Sequence, residues 1–153
     1  MECYLYAIPG KEETLHLLSP LSREQLAGRD TRSEFFIGRL IDPLKGIAVG
    51  NISYNADFLV LVHSLVRDLM VNDPSVLEEA AKQPNGFVFI IDRRAKEDEN
   101  IQKEDIIGIF LVAGNKTDIS NYRPNPDYVL VSERSVGILP EIVEDALMKR
   151  LIE

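Results

Sequence analysis

Cysteine, histidine, basic charge and long apolar runs are all scarce in this chain, and each scarcity excludes something. The single cysteine among 153 residues, Cys3, cannot pair within the chain, so no disulfide framework holds the fold. Beside Tyr4 and Leu5 an isolated thiol reads as a small apolar packing residue rather than a nucleophile. The two histidines, His16 and His63, form no pair at metal-ligand spacing with each other or with Cys3, so neither a metal nor a cofactor is expected. No uninterrupted apolar run approaches the ~20 residues that span a bilayer, and Met1-Glu2-Cys3-Tyr4 lacks a basic region leading into an apolar stretch. A cytoplasmic protein without membrane contact is the expectation. Lys and Arg number 17 against 25 Asp and Glu, a formal charge of −8, which repels phosphate backbones and argues against a nucleic-acid partner. The one basic concentration, Arg23, Arg29, Arg32, Arg39 and Lys45, is interleaved with Glu24, Asp30, Glu34 and Asp42 and reads as a mixed, solvated surface.

What the chain does have is apolar residues, 45% of the total. A chain of this length buries roughly 70% of its unfolded surface, enough for one core, so residues 1–153 are read as a single domain. Its centre is the stretch from Gly86 to Ala113. Two apolar runs, Phe87–Ile91 and Ile106–Val112, read as paired strands joined by a charged insert, Arg93–Asp105. Both runs are nearly continuous rather than alternating, which predicts strands covered on both faces. The insert carries four basic and five acidic residues and reads as a solvated loop.

Other elements follow from local chemistry. Cys3–Ile8 is a β-prone edge strand stopped by Pro9-Gly10. Ser22 and Gln25 have capping-box spacing, with Gly28 placed to end a short helix. Phe35–Ile41 and Ile47–Val49 predict a hairpin around Asp42-Pro43. Asn55 is placed to cap a helix over 56–71, whose apolar positions fall into two adjacent stripes: Phe58, Leu61, Leu65 and Leu69, then Leu59, Val62, Val66 and Met70. A surface that broad implies deep packing or a subunit interface, which makes Leu65 and Leu69 candidate interaction residues. Asp73-Pro74 starts another helix through Gln83. Asp127–Val131 reads as a strand, and 140–152 as a last helix with acidic residues toward its start and basic ones toward its end. The expected architecture is α/β of the α+β kind: a mixed, largely antiparallel sheet with helices packed on it.

Three stretches invite chemistry. Leu111-Val112-Ala113-Gly114-Asn115-Lys116-Thr117-Asp118 resembles the guanine-recognition element of the small GTPases. That resemblance implies base reading by Asn115 and Asp118 with Lys116 over the ring, but no Gly-x-x-x-x-Gly-Lys-Ser/Thr phosphate cradle accompanies it. From Gly86 to Arg150 the order of elements resembles the middle of the GNAT-type acetyltransferases, with Arg134 and Gly137 matching their strand-to-helix loop. This implies an anion site for an acyl-CoA or nucleotide-like ligand at 134–139, although Leu139 replaces the second small residue and Pro140 removes a donor. Tyr122-Arg123-Pro124-Asn125-Pro126-Asp127 is polar, aromatic and stiffened by two prolines, so Tyr122 and Arg123 are candidate recognition residues.

His63 shares a helix face with Ser64, Arg67 and Asp68. Neighbours on a helix point about 100° apart, and Asp68 lies outside the i+3 and i+4 positions, so no internal triad forms. No catalytic residue is assigned. The leading expectation is a non-enzymatic interaction or regulatory protein that binds a protein partner, a second copy of itself included. The alternative is a small-ligand-binding domain or acetyltransferase-like enzyme using Arg134 and Gly137.

Overall fold

The computed structural model describes residues 1–95, 100–132 and 136–153. Its strands form two antiparallel sheets rather than one mixed sheet. In the first, β1 (Tyr4–Pro9), β2 (Thr14–Ser19), β3 (Gly38–Leu40) and β4 (Ile52–Tyr54) lie in sequence order. In the second, β5 (Asn85–Ile91) and β7 (Tyr122–Pro124) flank β6 (Ile106–Ala113). The helices are α1 (Arg23–Leu26), α2 (Ala56–Met70), α3 (Pro74–Ala81) and α4 (Glu141–Ile152). None among the described residues is long and apolar enough to cross a membrane. One hydrophobic cluster runs through both sheets and α2, α3 and α4, including Leu18, Ile37, Phe58, Val66, Phe110 and Leu147.

Several local expectations hold for the expected reasons. β1 is an edge strand, and Pro9, which cannot donate to a ladder, lies at its end. Ser22 and Gln25 form both capping-box bonds, at 3.2 and 2.8 Å. Asn55 caps α2 by accepting from the Asp57 N–H and does more. Its amide donates to the carbonyls of Ser33 and Phe36, at 2.7 and 2.9 Å, fastening the helix start to the chain entering β3. Along α2 the fully buried line is Phe58, Val62, Val66 and Met70, while Leu61, Leu65 and Leu69 are half-buried against the same core. α2 packs against α4.

Four expectations are corrected. The strand expected over 35–41 shortens to β3, because residues 33–35 form a 3₁₀ turn whose Phe35 carbonyl is taken by the buried Ser19 hydroxyl at 2.6 Å. The strand expected at 47–49 lies instead at β4. Buried Asn51 draws the 42–51 loop around its side chain, accepting from Asp42 N–H and donating to the Asp42 and Gly46 carbonyls. Tyr122–Pro124, expected in a loop, is β7, and 127–131 contains no regular strand. The backbone there is met by other groups: Val129 N–H by the Glu104 carbonyl, Val131 N–H by the Tyr54 hydroxyl, and the Leu130 carbonyl by Gly137 N–H.

The fourth correction concerns the central pair. β5 and β6 are covered on one face only. Val88 and Ile90 are buried, whereas Phe87 and Phe89 are 55% and 53% exposed. Their cross-strand partners, Leu111 and Ile109, share the open face, and Arg123 of β7 lies beside Ile109. The run looked continuous because both faces are apolar.

Candidate functional site

The charged insert after β5 is not solvated at its two ends. Asp92, Arg94 and Asp105 are buried, with the side chains of Asp92 and Asp105 fully so. Arg94 Nε donates to Asp105 Oδ1 at 3.1 Å. Its terminal nitrogens donate to the carbonyls of Leu130 at 2.6 Å, Glu104 at 2.9 Å and Val129. Asp92 Oδ1 accepts the Arg94 and Ile138 N–H groups, and Oδ2 accepts the Tyr128 hydroxyl at 2.8 Å. Burial and the Asp92 charge both push the Tyr128 phenol well above its ordinary range. Desolvating three charges is tolerable only with such complete pairing. The network joins the end of β5, the start of β6 and the approach to α4. Lys96–Glu99, in the middle of the insert, lie outside the described residues.

This cluster also explains Gly137. The glycine is buried, its N–H goes to the Leu130 carbonyl at 2.7 Å, and a Cβ there would lie 2.8 Å from both Asp92 Oδ2 and the Tyr128 hydroxyl. Close approach to a buried network therefore accounts for the glycine, and its backbone donor is already engaged. Arg134, its proposed companion, lies outside the described residues. The Asn-Lys-Thr-Asp string is likewise engaged locally. Gly114 and Asn115 turn the chain with φ of 58° and 63°, Asn115 donates its amide to the Ala81 carbonyl, and Asp118 accepts from Ser120 N–H at 2.8 Å.

A different place combines a cavity with an open polar valence. α2 presents His63 toward β7, and His63 Nδ1 lies 2.7 Å from the Tyr122 hydroxyl. Tyr122 is buried, set edge-on to Phe110 with ring centroids 5.2 Å apart. Gly108 makes room for it, since a Cβ there would come within 2.4 Å of the phenolic oxygen. Burial lowers the His63 pKa from its ordinary value and raises that of Tyr122, which favours the uncharged form of each. His63 Nδ1 is the partner of the buried Tyr122 hydroxyl. With the phenol as donor in that bond the ring proton lies on Nε2, and with Nδ1–H as donor Nε2 is the acceptor.

Beside this pair lies a half-open groove of about 560 Å³ between α2 and the 122–128 segment. Leu59, Val60, Pro124, Pro126 and Tyr128 give it apolar walls, and His63 and Arg67 supply polar contacts. Arg67 is held at Nε by Asp68 Oδ1 at 2.8 Å. Ser64 also lines the groove, but its hydroxyl donates to the Leu61 carbonyl within the same helix, so it forms no nucleophile pair with His63.

The other candidates separate clearly. Tyr122 is a buried link between sheet and helix, Arg123 sits on the open sheet face and donates to the Ser120 carbonyl, and Leu65 and Leu69 pack half-buried on the core. Burial raises the half-buried Cys3 thiol to about 11, which keeps it protonated and unreactive near neutrality. Among the described residues no group of three His, Cys, Asp or Glu side chains could hold a metal ion. Comparisons with protein-family models, curated proteins and solved structures gave no match.

Proposed function

We propose that this chain is a non-enzymatic interaction protein that pairs with a second copy of itself through the open face of β5 and β6. The observation that carries the reading is the exposure of Phe87 and Phe89, both more than half open, beside Ile109 and Leu111 on paired strands. The uncovered face of an antiparallel sheet is ordinarily polar, and a contiguous apolar patch marks an interaction surface. Charge favours a like partner at this place. The chain carries −8, yet the outward positions Asn85, Phe87, Phe89, Ile109, Leu111 and Ala113 are uncharged and Arg123 is basic. Two acidic chains can therefore meet here without opposing carboxylates. A two-fold axis would set each phenylalanine pair against the other copy's aliphatic pair, a self-complementary arrangement. These four residues would form the centre of an interface, with Arg123 and Asn85 at its rim, toward the ~800 Å² per partner that a standard interface buries.

Analytical ultracentrifugation of the wild type and of Phe87→Ser/Phe89→Thr tests the reading. A wild-type dimer that becomes a folded monomer in the variant, with its melting temperature held, is expected. The dimer should tighten as salt screens the net charge. A wild type that stays monomeric at ~100 µM, or a dimer untouched by the double substitution, would overturn it.

A further inference from the structure

The groove between α2 and the 122–128 segment carries an inference independent of the sheet face. We propose that it binds a small apolar monocarboxylate, its hydrocarbon or aryl body against Leu59, Val60, Pro126 and Tyr128 and its carboxylate accepting the His63 Nε2–H, with Arg67 adding positive charge.

Three observations converge on that ligand. The first is shape: about 560 Å³ lies within the ~300–1,000 Å³ range of small-molecule sites, and the walls are apolar with few polar groups, as in such sites generally. The second is the direction of the polar contact. Tyr122 engages Nδ1 at 2.7 Å; with the phenol donating in that bond, the ring proton lies on Nε2, which is then a donor. A donor calls for an acceptor on the ligand. The third is charge. Arg67 is the charged residue among those lining the groove, in a chain with 25 acidic residues, and none of the lining residues is acidic. Asp68 engages Arg67 at Nε, which orients the guanidinium through one edge. An acceptor carrying negative charge satisfies both His63 and Arg67, whereas an amine satisfies neither.

The mode of attachment separates this ligand from an acyl-CoA or a nucleotide. Phosphate groups are held by several backbone N–H donors or by a cluster of cations, and the groove offers one imidazole N–H and one guanidinium. A single carboxylate matches that donor set.

Isothermal titration with 3-phenylpropanoate, set against its neutral amide 3-phenylpropanamide, tests the assignment, together with the nitrogen chemical shifts of the His63 ring. Saturable binding of the acid, at least about 10-fold tighter than the amide, is expected from loss of the charge-assisted bond. The Nε2–H signal should move on binding while Nδ1 keeps its acceptor signature. Arg67→Gln should weaken the acid and leave the amide unchanged. Val60→Asp adds a carboxylate at a 68% exposed wall position, where folding tolerates it, and should abolish acid binding. Equal affinity for acid and amide, a protonated Nδ1 in the free protein, no saturable binding up to ~10 mM, or full binding by Val60→Asp would each overturn the proposal.

Discussion

Tyr128 and Tyr122 lie six positions apart, each hydrogen-bonds through its hydroxyl to a titratable side chain, and each needs a glycine beside it. Their surroundings differ in one respect. Around Tyr128 the acceptor Asp92 also takes two backbone N–H groups and lies within 3.7 Å of Arg94, so the set is closed. Around Tyr122 the partner His63 keeps a second ring nitrogen beside a groove. The same phenol–partner unit thus makes a structural joint in one place and an open valence in the other. The lesson is that a buried titratable residue indicates binding only when some of its hydrogen-bonding capacity points toward space.

Breaking the closed set should have the largest effect. Arg94→Met removes the cation and leaves Asp92 and Asp105 buried without it, so a loss of about 3–5 kcal/mol in urea unfolding is expected. A loss below ~1 kcal/mol would show that water reaches those carboxylates freely. The two glycines sharpen the contrast. Gly137→Ala would put a methyl 2.5 Å from Leu130 Cδ1 as well as against Asp92 and Tyr128, inside a network with no slack, at a cost of about 1–3 kcal/mol. Gly108→Ala meets first the Tyr122 ring and hydroxyl, a side chain that borders the groove and can shift toward it. Calorimetry should find it the milder of the two, and the His63 ring signals should shift as the Tyr122 bond lengthens. A reversed ranking would place the rigid network at Tyr122 instead.

The smallest effect is on pH dependence. Burial holds the folded His63 pKa below its ordinary 6.5, so in the unfolded chain the ring takes up its proton at higher pH. Its contribution to stability is fully present above the unfolded value and is lost as pH falls through it toward the folded value. The melting temperature should therefore drop as pH falls through the ordinary value of 6.5 in the wild type, and His63→Gln should flatten that part of the profile. A profile identical in both proteins would mean that the imidazole is as well solvated folded as unfolded.

Much of the fold was legible because its signals are local. Asn55, Asp73-Pro74 and Ser22 with Gln25 set helix starts through bonds to residues two or three positions away, and all three act where expected. The α+β class and the β5–β6 pairing followed from run lengths. What could not be read depends on distant partners. Arg94 lies in a charged string that composition assigns to solvent, and its burial draws on the carbonyls of Leu130 and Val129, more than thirty positions away. Asn51 resembles any loop asparagine until the 42–51 segment wraps around it. The open face of β5 was hidden because alternation carries information only when one face is polar. The groove was partly visible: His63 and Tyr122 were each singled out, but nothing local indicates that residues 59 positions apart share a hydrogen bond.

The register shift between Ile90 and Ile91 carries one more consequence. Gly108 pairs with Ile90 and Ile106 with Ile91, so Ile107 is an added residue with no opposite number and is fully buried. The insertion acts as a phase slip in the sheet: on one side odd-numbered residues of β6 look outward, and at the slip an odd-numbered residue looks in. One amino acid thus sets the length of the outward stripe and places its boundary beside the ion network.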